Sequence, residues 1–136
     1  MAINVTIWNE NYHERVEPIV KNVHPEGLHG TLKNLLQSDD FNITTATLDM
    51  PEQGLPDDVL NNTDVLLWWG HAQHGAVSDE LVEKIYNRVN AGMGLIVLHS
   101  GHHSKVFRRM MGTSGNLKWR EASESCRIWT VTPNHP

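Results

Sequence analysis

Two stretches of the chain show no polar alternation. Asp64 to Trp69 reads DVLLWW, and Gly94 to His99 reads GLIVLH. Continuous apolar runs of this length match strands covered on both faces, as in a parallel sheet. Near the start, Ile3, Val5 and Ile7 alternate with Asn4 and Thr6, which predicts a strand over Ile3 to Trp8. A threonine-rich strand is expected over Asn42 to Leu48, and a last short one over Arg127 to Thr132. Trp68 and Trp69 are successive, so they should lie on opposite faces of their strand, both in the core.

Helical spacing fills the intervals. Leu28, Leu32, Leu35 and Leu36 predict a helix over His29 to Gln37, introduced by the turn residues Pro25, Glu26 and Gly27. Pro56 to Leu60 reads as a short helix with Asp57 and Asp58 in its first turn, where the dipole favours acids. Ser78 is placed to cap a helix running to about Asn90, with Leu81, Val82, Ile85 and Val89 as its apolar stripe and Gly92 past its end. A further helix follows Gly101 and runs to Met111. Val106, Phe107, Met110 and Met111 share one of its faces, and Lys105, Arg108 and Arg109 share the other. Asn9 to His13 and Asp49 to Gly54 are expected as loops. The order βαβαβαβαβ predicts an α/β fold: a doubly wound parallel sheet in three αβα layers, with right-handed crossovers.

Size and composition narrow the class. The 136 residues make a single domain, 1–136, with 39% hydrophobic and 20% charged side chains. The apolar runs are too short to cross a bilayer, and MAINVTIW lacks the features of a signal peptide, so the expected compartment is the cytosol. A net charge of −5 supplies no general drive toward nucleic acid. One cysteine, Cys126, excludes an internal disulfide and a Cys-only zinc site; it reads as a buried or edge thiol. The charge is split along the chain. Residues 1–83 carry three basic and fourteen acidic side chains, and residues 84–136 carry eight basic and two acidic. The simple expectation is that consecutive elements carry complementary surfaces. The other is a pocket for an anionic or polyhydroxyl ligand in the second half.

Candidate chemistry follows from the topology. In such a sheet, ligands bind beyond the carboxyl ends of the strands, where strand order reverses. Asn9, Glu10, His13 and Glu14 follow the first strand; Gly70, His71 and His74 follow DVLLWW; His99, Ser100, Gly101, His102 and His103 follow GLIVLH. Glu26 and His29 come from the helix start. His71 and His74 are spaced H-x2-H, and His99 and His103 lie four apart. The inventory suffices for a divalent metal such as zinc, held by His71, His74, His99 and His103, but matches no zinc signature. His24, His102 and His135 read instead as histidines that order loops. His102 and His103 are adjacent and, on a helix, would not face the same pocket.

His99 or Ser100 occupies the tip of a strand–turn–helix layout like a nucleophile elbow, although the G-x-S-x-G pattern is missing. A helix starting just beyond Gly101 would present backbone N–H groups to an anion. His99 and His71 suit general acid–base work near neutral pH. Trp119, in Lys118–Trp119–Arg120–Glu121, either stacks on a sugar ring or packs under a loop.

The segments WNENYHE, HPEGLHGTL, LDMPEQGL, DVLLWWGHAQH, VSDELVEKIYNRV, GMGLIVLHSGHHSKVFRRMMGT, LKWREA and NHP together resemble the ThuA family, the trehalose-utilisation proteins, from Ile3 to Pro136. The resemblance implies a class I glutamine amidotransferase-like, flavodoxin-like fold. It also implies a role in breakdown of trehalose and related disaccharides, on a sugar or keto-sugar. Catalytic roles then fall to His99, His71 and Glu10, and substrate contacts to His13, His29, Trp119, Ser100 and Gly101. Amidotransferases of this fold carry a cysteine at the elbow. Here His99 stands in that place, which argues against glutaminase chemistry and leaves open a non-catalytic sugar-binding or assembly module. The expected partner is a small-molecule sugar, with no nucleic acid or membrane, and with self-association through an open sheet edge. The stretch Thr132 to Pro136 leads out of the last expected strand. With the resemblance, it suggests roughly the first three fifths of the family's usual length.

Overall fold

A computed structural model describes residues 2–118, 120, 122–125 and 127–134. Four strands form one sheet: β1 (Ile3–Asn9), β2 (Phe41–Thr47), β3 (Val65–Trp69) and β4 (Gly94–Val97). All neighbouring pairs are parallel, in the order β2-β1-β3-β4, which is the flavodoxin-like order. The chain winds from β1 outward to β2, then returns past β1 to β3. The switch point therefore lies between β1 and β3.

Strand alternation divides the core into two layers. Val5, Ile7 and Leu67 point to one face, where they meet Leu32 and Leu36 of the helical segment that begins with α3 (Gly27–Leu35). Trp8, Leu66 and Trp68 point to the other face. They pack there with Leu60 of α4 (Asp57–Asn61), Leu81, Val82 and Ile85 of α5 (Asp79–Asn90) and Val106 of α6 (Lys105–Met111). The predicted helices exist, with boundaries displaced by a few residues. Ser78 caps α5 as expected, its Oγ accepting the Leu81 N–H at 3.2 Å. Gly92 follows with a positive φ of 112°. The split charge resolves into complementary helices: Lys105 pairs with Asp79 at 2.7 Å, and Arg109 reaches Glu83 with two bonds of 2.6 and 3.1 Å.

Five expectations need correction. Arg127 to Thr132 forms no strand; Ile128, Trp129 and Val131 are exposed, and no described strand lies beside them to complete a ladder. GLIVLH is strand only to Val97, and it is not covered on both faces, because β4 ends the sheet and leaves Ile96 52% exposed. Trp69 is half-buried rather than core, since it stands at the carboxyl end of β3 where packing gives way to the loops. Asn9 belongs to β1, and the region after it holds two short helices that the pattern did not reveal, α1 (His13–Val16) and α2 (Pro18–Val23). They are too short to show apolar periodicity, and Ile19 and Val23 of α2 face outward. Finally, α6 starts at Lys105, not just beyond Gly101. Gly101–His103 is a 3-10 turn, and the buried Ser104 caps α6 by accepting the Phe107 N–H at 3.1 Å.

Candidate functional site

Glu10 follows β1 directly and is 1% exposed. Its carboxylate spans the gap to the loop after β3: Oε1 accepts the Ala72 N–H and Oε2 the Gln73 N–H, each at 2.8 Å. The Glu10 N–H in turn reaches the Trp69 carbonyl at 3.2 Å. A buried carboxylate is tolerated when N–H groups saturate it, and here the saturation fixes the loop that carries His71 and His74. Of the proposed acid–base residues, Glu10 is therefore held beneath the rim, whereas His71 and His99 are exposed on it.

Imidazoles gather around this clamp. His13 Nδ1 lies 3.8 Å from Glu10 Oε1, and its ring centre is 5.1 Å from that of His71. His74 and His103 meet edge to face at 6.4 Å between ring centres. His102 and His103 lie 4.1 Å apart and line one cleft, contrary to the expectation for neighbours on a helix; the 3-10 turn carrying them precedes α6. That cleft, of about 530 Å³, is lined by His71, His74, His99, Ser100, His102, His103 and Leu117. Burial pushes His74 below the ordinary imidazole value, against the pull of Glu10, and His103, His71 and His102 add to the depression. Burial also lowers His102, with His103, His99 and His71 acting in the same sense. The four residues named as metal ligands thus share a cleft. Among the described residues, however, no three His, Cys, Asp or Glu side chains converge as a ligand set.

The turn after β4 decides which residue occupies the tip. Gly101 N–H returns to the Leu98 carbonyl at 2.9 Å, closing a tight turn, and Ser100 takes φ 78° and ψ −21°. This is the left-handed third position of a type II turn, usually glycine or asparagine. Ser100, rather than His99, therefore holds the strained elbow position, and neither residue is a thiol. No imidazole hydrogen-bonds the Ser100 hydroxyl among the described residues. Gly101 is buried under the turn; a Cβ there would meet Val97 Cγ1 at 2.5 Å.

A second polar group lies on the β2 side of β1. Asn9, fully buried, accepts the Asn11 N–H through Oδ1 at 2.9 Å. Its Nδ2 therefore faces Glu14 Oε1 at 2.7 Å and His29 Nδ1 at 3.0 Å. An amide donor on Nδ1 makes that nitrogen an acceptor, so His29 is neutral and carries its proton on Nε2. Burial lowers the His29 pKa, against Glu14 and Asp49. Burial pushes Glu14 up, but the Leu28 N–H at 2.9 Å and the Asn9 amide outweigh it and hold the carboxyl below its usual range. Asp49, lowered first by the Thr47 hydroxyl, pairs with Arg15 at 3.1 Å. His29 thus stands apart from the imidazole cleft. His24 orders its loop as expected, with Nδ1 2.9 Å from Thr31 Oγ1.

A further cleft of about 330 Å³ adjoins the first and shares His71 and Ser100 with it. Its walls are His13, Glu14, Val20, His24, Leu28 and Trp69. The sequence reading missed Trp69 as a wall residue. The signal was parity: Trp68 continues the Leu66 side into the core, which leaves Trp69 as the last residue of the strand on the other. Trp119 lies outside the described residues, as do Cys126 and His135.

Fold and rim define a parallel α/β domain of flavodoxin-like order with imidazoles from two strand ends and the segment after a third facing a common cleft region. The chain belongs to the ThuA family, described as trehalose utilisation, whose model matches residues 4–136. No curated protein matches the chain. No helix among the described residues is long and apolar enough to cross a membrane.

Proposed function

We propose that this ThuA domain acts in the cytosol on trehalose or a related disaccharide, as the free sugar or a keto derivative, with His71 and His99 moving protons at the sugar's oxygens. The observation that carries the reading is the meeting of two clefts at His71 and Ser100, walled by His13, His24, His74, His99, His102 and His103. Neutral imidazoles both donate and accept hydrogen bonds, which suits hydroxyl-rich ligands. Burial lowers the pKa of His74 and of His102, which favours the neutral form of both rings. Glu10 acts through His71, by holding its loop, as a positioning residue. Among the described residues the imidazoles do not converge on a preformed ligand set for zinc.

A second reading, a non-catalytic sugar-binding module, is favoured by one observation: among the described residues the hydroxyl at the elbow has no imidazole partner to activate it. Titration of the purified protein with trehalose and its keto derivative, followed by calorimetry and product analysis, separates the two. Binding with turnover that is lost in His71→Ala and His99→Ala supports the enzyme. Binding without turnover leaves the module, and no binding overturns both. Metal analysis of the same sample tests zinc: a stoichiometric ion lost in His71→Ala would support a metal role.

A further inference from the structure

The smaller cleft is lined by Glu14, whose carboxylate the described residues satisfy only in part. Glu14 is 4% exposed. Its Oε1 is doubly occupied, by the Leu28 N–H at 2.9 Å and the Asn9 amide at 2.7 Å, whereas its Oε2 is buried with no hydrogen-bond partner among the described residues. A buried carboxylate oxygen without a donor is costly, and such orphans are rare unless a ligand or water completes them. Glu14 lines the smaller cleft, so a donor reaching it from there would meet Val20, Leu28 and Trp69 on the apolar side and His13, His24 and His71 on the polar side. An aromatic and aliphatic wall suits the C–H face of a pyranose ring, and imidazoles suit its hydroxyls. The volume of about 330 Å³ lies at the small end of ligand sites, matching one ring rather than two.

We propose that this cleft is an anchoring subsite for one pyranose ring, in which Glu14 Oε2 accepts a ring hydroxyl. The second ring of a disaccharide then extends past His71 and Ser100 into the larger imidazole cleft. The inference rests on the sugar reading above and assigns it a specificity-determining residue. Glu14 lines the cleft with a side chain only 4% exposed, so in this proposal it serves as an acceptor for the ring rather than as a proton-transfer group.

The test uses methyl α-D-glucopyranoside as a single-ring probe and trehalose as the double. In protein labelled with ¹³C at glutamate carboxyls, the Glu14 resonance should shift and saturate with the single-ring probe. Glu14→Gln should weaken that probe by about tenfold or more, with far-UV circular dichroism unchanged. Should Glu14→Gln not fold, the carboxyl titration of the unaltered protein decides alone. A probe that perturbs the backbone amides of Trp69 and His71 while the Glu14 carboxyl stays still overturns the anchoring role and leaves the sugar reading intact. No perturbation by either sugar overturns both.

Discussion

Trp8 of β1 and Trp68 of β3 stack face to face, with ring centres 3.7 Å apart and planes within 5°. They are register partners in the parallel ladder, so the stack sits at the switch point directly below the rim. Both are 1% exposed, yet their N–H groups differ. Trp8 Nε1 donates to the Gln53 carbonyl at 2.8 Å, whereas Trp68 Nε1 is buried without a partner among the described residues. Either tryptophan changed to alanine should cost about 3 to 5 kcal/mol in urea unfolding. Trp68→Phe should cost less than Trp8→Phe, because only the latter strands the Gln53 carbonyl. Equal losses for the two phenylalanine variants would count against the assigned bonding.

Glu10 ties β1 to the loop bearing His71. Glu10→Gln keeps the shape but leaves an amide N–H₂ facing one of two backbone N–H groups. A loss of about 1 to 3 kcal/mol is expected. Hydrogen exchange at Ala72 and Gln73 should quicken more than exchange in β1, which separates local release of the loop from global weakening.

The elbow stores strain at a residue that is not glycine. Ser100→Gly should stabilise the fold by about 1 kcal/mol, since glycine adopts φ 78° without steric cost. A β-branched replacement, Ser100→Val, should destabilise it. Thermal unfolding of the pair checks the sign of both effects.

Acid should unfold the protein in two stages. His29, His74 and His102 have lowered pKa values in the folded state, so the unfolded chain binds protons first. Stability contributed this way is complete above the ordinary imidazole value of about 6.5 and is lost as pH falls through the window below it. Glu14 and Asp49 are also lowered, so their contribution persists above the ordinary carboxylate values and is lost as pH falls through their folded ones. Both groups therefore act in the same direction. Urea midpoints measured from pH 8 to pH 3 should fall below pH 6.5 and fall further below about pH 4.5. His29→Gln should remove part of the first decline.

The hydrophobic pattern carried most of the architecture, because burial in a parallel sheet writes itself into consecutive residues. DVLLWW had to be a central strand, and Leu81, Val82 and Ile85 had to face it from a helix. Parallel topology then required His71 and His99 to approach the same rim. What local pattern cannot contain is neighbourhood. The exposure of Ile96 follows from β4 lying at the sheet edge, and that is a property of strand order, not of GLIVLH. Of His99 and Ser100, the strained position falls to Ser100 because a hydrogen bond between Leu98 and Gly101 closes the turn. Glu10 and Glu14 have the same side chain, a few residues apart. One is saturated by loop N–H groups and the other keeps an oxygen without a donor among the described residues, because α1 and α3 carry Glu14 to a different set of donors. Burial is encoded one residue at a time, whereas the partners of a polar group depend on distant segments that only the folded chain brings within 3 Å.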